Sequence, residues 1–287
     1  MSPTSPGVVV GADATAQSGH AVGWAAREAT HRGTALTVVH ALDLPRTADL
    51  QVSALGLLEQ RRADGTALLD LTAADLTATY PDLRINTVLS EQSPASALTE
   101  LSPDAEVIVI GPSGRGSLAV LLFGSLSGDV GARTHCPVVT VWGARPDTTE
   151  PVIVLGLEPD EDAPPITFAF QTAARLGLSL RAVRALQPAG TAHDGNDTDA
   201  VETAREEALA AMGQQLFQVR AQYPSVPVTL NAEHGASAPV LHAAARDAHL
   251  LIVGAHRRRG SLASRIGGTV HDLLALPGTP VAVVPIR

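Results

Sequence analysis

Cysteine is nearly missing from this sequence. Cys136 is the single one, so no intramolecular disulfide can form and no multi-cysteine metal cluster can be built. A lone thiol before Pro137 reads as a small buried apolar residue, and a reducing compartment suits it. Aromatic residues make up 3% of the chain, too few for the stacking platforms that hold single-stranded nucleic acids. Basic residues are outnumbered, with 20 Lys+Arg against 29 Asp+Glu and a formal net charge of −9. Most of the surface therefore repels polyanions, and nucleic acid is not an expected partner. Long apolar runs are missing too, each being broken by Gly, Pro or charge within a few residues, which leaves no membrane-spanning segment. Met1 to Gly7 lacks a basic stretch followed by an apolar one, and the expectation is a cytoplasmic protein.

Several catalytic patterns are absent as well. A kinase-type phosphate loop needs Lys after the last glycine of Gly-x4-Gly, yet Gly111-x4-Gly116 is followed by Ser117. A dinucleotide fingerprint belongs in the first strand-to-helix turn with Gly-x-Gly-x-x-Gly spacing, and that turn lacks it. The ten histidines are scattered without His-Glu-x-x-His or paired-carboxylate spacing, so no metal site is indicated. No Gly-x-Ser-x-Gly elbow occurs, and no catalytic residue is assigned.

What the chain has is hydrophobic residue in quantity, 45% against 17% charged, arranged in an alternation of short β-branched runs with longer Ala- and Leu-rich stretches. That alternation predicts strands and crossover helices in a mostly parallel sheet. In the first half the strands read Val8 to Val10, Leu36 to His40, Ile85 to Leu89, Val107 to Ile110 and Val138 to Val141. Their near-continuous apolarity is what strands covered on both faces require. Between the first two strands, Val22, Ala25, Ala26 and Ala29 recur at helical spacing, with Ser18 expected as the cap and Gly33 closing the helix.

The second half repeats the order, with strands at Val152 to Leu155, Leu178 to Val183, Val228 to Asn231, Leu250 to Val253 and Val281 to Val284. The repetition reaches single residues: Gly33 to Leu42 aligns with Gly177 to Leu186, and Cys136-Pro137-Val138 with Thr279-Pro280-Val281. A period of half the chain means two whole domains rather than a solenoid. They are expected at residues 1–143 and 151–287, joined by the polar, two-proline segment Gly143 to Pro151. Gly190 to Thr198 reads as a surface loop within the second. Each domain is expected to be an open five-stranded parallel sheet of doubly wound, Rossmann-like type.

After the fourth strand comes Gly111-Pro112-Ser113-Gly114-Arg115-Gly116-Ser117, an apolar stretch to Phe123, then Gly124-Ser125-Leu126-Ser127. Glycines let backbone N–H groups approach an anion, a helix start adds the positive end of its dipole, and serine hydroxyls donate further bonds. The position is also right, since ligands of open α/β sheets lie beyond the carboxyl ends of the strands. The alternative is a structural loop, its glycines serving tight turns and close packing.

The spacing Gly111-x2-Gly114-x9-Gly124-Ser125 resembles the ATP-binding signature of the universal stress protein family. Val10-Gly11-Ala12-Asp13-Ala14-Thr15 resembles that family's opening turn, Val38-Val39-His40-Ala41 its second strand and Cys136-Pro137-Val138-Val139 its last. The resemblance covers nearly the whole chain, twice. It implies adenine-nucleotide α-hydrolase-like domains with strand order 3-2-1-4-5, and a stress-response protein that binds ATP, with or without Mg2+, as a regulatory switch. The residues it marks are Ala12, Asp13, Ala41, Gly111, Gly114, Arg115, Gly116, Gly124, Ser125, Leu126 and Ser127, with Asp13 near base and ribose. Asp13 has a second reading, as a local backbone acceptor in a strand-to-helix turn. The resemblance further implies a homodimer formed through the final strands.

The second domain departs from the pattern. Aligned on Gly254, the second signature glycine becomes Arg257 and the terminal pair Gly267-Gly268; aligned on Gly260-Ser261, the pair becomes Gly268-Thr269. A side chain at the second glycine stands where backbone should approach phosphate. The opening turn reads Gly156-Leu157-Glu158-Pro159, a longer acceptor followed by a lost donor. The expectation is a degenerate site whose residues would be Glu158, Gly254, Arg257, Gly260, Gly267, Gly268 and Thr269. Two other functions stay open at this point: a slow ATPase or nucleotide hydrolase of the same architecture, and a nucleotide-free assembly module.

Overall fold

A computed structural model describes residues 7–44, 52–111, 134–143, 151–159, 163–186, 198–255, 268–275 and 278–286. The chain divides into two compact units, with the boundary between residues 144 and 145. Most of the segment joining the two predicted domains, and most of the loop expected at Gly190 to Thr198, lie outside the described residues; Thr198 itself opens a helix.

In the first unit the described elements are β1 (Gly7–Gly11), α1 (Ala16–Arg32), β2 (Leu36–Ala41), α2 (Val52–Thr79), β3 (Ile85–Ser90), α3 (Pro94–Leu101), β4 (Ala105–Ile110) and β5 (Val138–Thr140). The second has β6 (Val152–Gly156), α4 (Ala163–Leu176), β7 (Ser179–Leu186), α5 (Thr198–Gln222), β8 (Val228–His234), α6 (Ser237–Ala244), β9 (Leu250–Ala255), α7 (Gly268–Ala275) and β10 (Val281–Pro285). Within the first unit the strands lie in the order β3-β2-β1-β4-β5, and within the second β8-β7-β6-β9-β10. Both are the expected 3-2-1-4-5 order, and every strand pair described within a unit is parallel.

The registers follow from the apolar runs. Val8, Val9 and Val10 are all buried and sit between Leu36, Thr37 and Val38 of β2 and Val107, Ile108 and Val109 of β4. A strand flanked on both edges and covered on both faces has no position for a polar side chain, which is why β1 reads as unbroken valine. Helix α1 packs on β1 and β4, α2 on β2 and β3, and α3 on β1 and β2. Ala21, Ala25, Ala26 and Ala29 of α1 are fully buried, and Val22 and Trp24 are buried beside them.

The ends of α1 show how the sequence sets its length. Gly33 takes φ 64°, and Thr34 N–H donates to Ala29 O at 3.1 Å. Gly177 takes φ 65° after α4, with Leu178 N–H donating to Ala173 O at 2.9 Å. This left-handed closure, open to glycine without cost, stops both helices at the same place in the repeat. The N-terminal cap is Thr15, not Ser18 as expected: Thr15 Oγ1 accepts from Ser18 N–H at 3.2 Å. Ser18 lies inside the first turn, buried, and its Oγ accepts from Asp13 N–H at 2.8 Å. Two hydroxyl residues three apart can exchange these roles in the sequence, and the turn before the helix decides between them.

Among the described residues no helix is long and apolar enough to cross a membrane.

Candidate functional site

The carboxyl ends of β2, β1 and β4 gather four of the predicted residues. Val10 stands opposite Val109, so Ala12 and Gly111 leave the same edge of the sheet, and Gly11 stands opposite Val39, which brings Ala41 to that edge as well. Between β1 and β4 the strand order reverses, and ligand crevices of open α/β sheets form at that reversal.

Asp13 lies between β1 and α1, exposed. Its Oδ1 accepts from Thr15 N–H at 2.9 Å and also from the Thr15 hydroxyl. This is a turn closed by an aspartate side chain onto the backbone two residues on, and it places a carboxylate at the N-terminal end of α1, where the helix dipole favours negative charge. Ala12 N–H donates to Val39 O at 2.8 Å, so the turn is also tied to β2. Ala41 closes β2, half-buried, paired with Ser90 of β3. Just beyond it Asp43 adopts φ 50°, a left-handed conformation that Asp tolerates better than most residues.

Gly111 follows β4 directly. A Cβ there would stand 3.1 Å from Gln17 O, 3.2 Å from Gln17 C and 3.3 Å from Ser18 N. The end of β4 and the first turn of α1 therefore meet backbone to backbone, and glycine is what that approach permits. Gly114, Arg115, Gly116, Gly124, Ser125, Leu126 and Ser127 lie outside the described residues.

The second unit repeats the frame with other side chains. Leu157 N–H donates to Val183 O at 2.9 Å, as Ala12 does to Val39. Glu158 is exposed after β6, Gly254 lies within β9 opposite Val284, and Gly268 and Thr269 open α7. Arg257, Gly260 and Gly267 lie outside the described residues. Beside the turn sits a group that motif reading passed over. Arg184 Nε donates to Leu157 O at 3.1 Å, and its guanidinium also reaches Glu158 O at 3.3 Å and Gln215 Oε1 at 2.7 Å. Gln215 Nε2 donates in turn to Glu158 O at 3.2 Å. In the first unit His40 holds the corresponding place, with Nδ1 2.8 Å from Ala12 O. The signal was present in the repeat, where His40 aligns with Arg184, two hydrogen-bonding side chains near the carboxyl ends of their strands.

Cys136, buried before β5, has its thiol pushed up to about 12, first by burial, against the opposing pull of backbone hydrogen bonds and the Arg32 charge. It stays protonated at neutral pH and supplies no nucleophile.

The model of the universal stress protein family matches this chain twice, at residues 7–141 and 151–285. A universal stress protein of Mycobacterium tuberculosis is 30% identical over 296 residues, spanning 96% of this chain and 96% of its own length. Another from the same organism is 31% identical over 295 residues, spanning 98% and 96%. Among solved structures, a universal stress protein from Archaeoglobus fulgidus superposes with a TM-score of 0.67 at 15% identity, covering 98% of this chain and 97% of that one. At that identity the likeness is one of fold.

Proposed function

Because the chain belongs to the universal stress protein family, we propose that it is a cytoplasmic, ATP-binding stress-response protein whose first unit holds the nucleotide and acts as a regulatory switch. The observation that carries this reading is the gathering of Ala12, Asp13, Ala41 and Gly111 at the carboxyl edge of β1, β2 and β4, at the reversal of strand order. Asp13 and Ala41 would face base and ribose. Phosphates would be held by backbone N–H groups of Gly114, Gly116 and Gly124 and by the hydroxyls of Ser125 and Ser127, with Arg115 and any bound Mg2+ offsetting their charge. The close approach at Gly111, where an added Cβ would meet Gln17 and Ser18 backbone at 3.1 to 3.3 Å, suits a cradle of main-chain donors at the start of α1.

ATP acts as a switch in this reading because it orders the loop from Gly111 to Ser127 and so favours one of two states that partners distinguish. The second unit, with Arg257 at the second glycine and Glu158-Pro159 in the opening turn, is the one that stays empty. Two chains would associate as a homodimer, and light scattering on the purified protein reads the mass of the assembly.

The test of the site is calorimetric titration with ATP. Wild-type protein takes up ATP, and Gly114→Leu loses at least about tenfold in affinity, which corresponds to roughly 1.4 kcal/mol. An unchanged affinity in Gly114→Leu would place the nucleotide elsewhere.

A further inference from the structure

The opening turn of each unit is held by a side chain that no motif marks. A carbonyl oxygen only accepts, so His40 Nδ1, 2.8 Å from Ala12 O, must carry the proton. On another edge the ring is covered by α2 with no side chain between: a Cβ at Gly65 would stand 2.9 Å from His40 Cδ2, 2.8 Å from Leu89 Cδ1 and 3.1 Å from Leu42 Cδ2. The imidazole is therefore fixed in place by close packing and aimed at one acceptor. At the corresponding position of the second unit Arg184, 7% exposed, donates to Leu157 O, and Leu157 is the residue that follows β6 as Ala12 follows β1. Two chemically different donors at one duplicated position thus reach the same carbonyl. What the repeat retains is the hydrogen bond, not the residue type.

The turn's other described side-chain bonds are local, running from Asp13 N–H to Ser18 Oγ and from Thr15 to Asp13 Oδ1. They shape the turn but do not tie it to β2. We infer that His40 is a positioning residue for the nucleotide of the first unit. By holding the Ala12 carbonyl it sets where Asp13 stands relative to Ala41. It touches the turn and not the ligand. In the second unit Arg184 and Gln215 together hold two successive carbonyls, of Leu157 and Glu158, so that turn is clamped to β7 and α5. The inference rests on the nucleotide reading above, and its test separates the two.

The experiment uses the full chain and three variants. His40→Phe keeps a ring under Gly65 and deletes the donor. His40→Asn places an amide N–H near the position of Nδ1, and His40→Gln places one near that of Nε2. Hydrogen–deuterium exchange of the amides from Ala12 to Ser18 is measured without nucleotide, and ATP affinity by calorimetry. The expected result is faster exchange in that segment and roughly tenfold weaker ATP binding in His40→Phe, the loss of about one hydrogen bond's worth of positioning. His40→Asn returns both towards wild type and His40→Gln does not. A long-range proton–nitrogen NMR spectrum of the wild-type protein shows the Nδ1–H form of His40. Wild-type exchange and affinity in His40→Phe overturn the inference. If His40→Phe fails to fold, equal ATP affinities in the Asn and Gln variants overturn it instead. A wild-type chain that takes up no ATP overturns the nucleotide reading and the ligand role together, while the exchange result alone then decides whether His40 holds the turn.

Discussion

Both hydrogen bonds that Asp13 accepts from Thr15 end on Oδ1, so the turn uses one carboxylate oxygen and the proposed ribose contact falls to the other. One substitution separates the two duties. Asn keeps the Oδ1 acceptor and replaces the second acceptor with a donor. Asp13→Asn is expected to lose only the helix-dipole contribution, about 0.5 kcal/mol of stability, and to weaken ATP binding. Asp13→Ala loses both duties, with about 1 kcal/mol of stability gone for the missing turn acceptor. Thermal melts beside titrations of the two variants check this, and equal affinity in Asp13→Asn and wild type would leave Asp13 as a turn residue alone.

Cys136 gives a prediction about pH at the same scale. Its thiol ionises ordinarily at 9.0 and in the folded protein near 12. Between those values the folded state keeps a proton that the unfolded chain gives up, so the thiol's contribution to stability is whole below pH 9 and is lost as pH rises towards 12. Urea unfolding at about pH 8 and about pH 10.5 should show a larger loss of stability in wild type than in Cys136→Ala. A thiol reagent should react only as the protein unfolds.

At the scale of elements, Gly111 is where packing and the proposed binding meet. A Cβ there stands against Gln17 and Ser18 backbone, and neither can turn aside as a flexible side chain does. Gly111→Ala is expected to cost about 1–3 kcal/mol, the usual range for overpacking a close contact, measured by urea unfolding. A stability within a few tenths of a kcal/mol of wild type would show that α1 can shift at its first turn.

The strands were legible because parallel strands buried on both faces leave long apolar runs, and each of the ten lies within a few residues of its sequence-based position. The closure at Gly33 was legible because a glycine just past the apolar periodicity takes the left-handed turn that commonly ends a helix, and Gly177, aligned with it in the repeat, does the same. The cap was misread as Ser18, since Thr15 and Ser18 have the same chemistry and only the Asp13 turn tells them apart. His40 and Arg184 were passed over because a motif search asks which side chains touch a ligand. These two act on backbone carbonyls 28 and 27 residues away, a contact that no local pattern records. Gly111 was picked out for a phosphate, while the contact the structure supplies for it is with α1.

For the whole molecule, the repeat has kept the frame and changed the side chains of the opening turn. Ala12 to Val39 and Leu157 to Val183 are the same backbone bond in the two units, and the strand orders agree. The side chains around the opening turn do not agree: Asp13 with His40 in the first, Glu158-Pro159 with Arg184 and Gln215 in the second. A duplicated domain whose second copy holds its turn from both sides fits a protein in which one unit answers to the ligand and the other does not. Limited proteolysis with and without ATP should then show protection at the loop from Gly111 to Ser127 and no change at the corresponding segment after Gly254.

That one unit of the two binds ATP is read from the number of nucleotides each chain holds. Native mass spectrometry of the full chain, titrated with ATP, is expected to show one nucleotide per chain, lost when Gly124 and Ser125 are replaced together. Two per chain, or one that survives that replacement, would contradict the assignment of the site to the first unit, and none at saturating ATP would contradict the nucleotide reading itself.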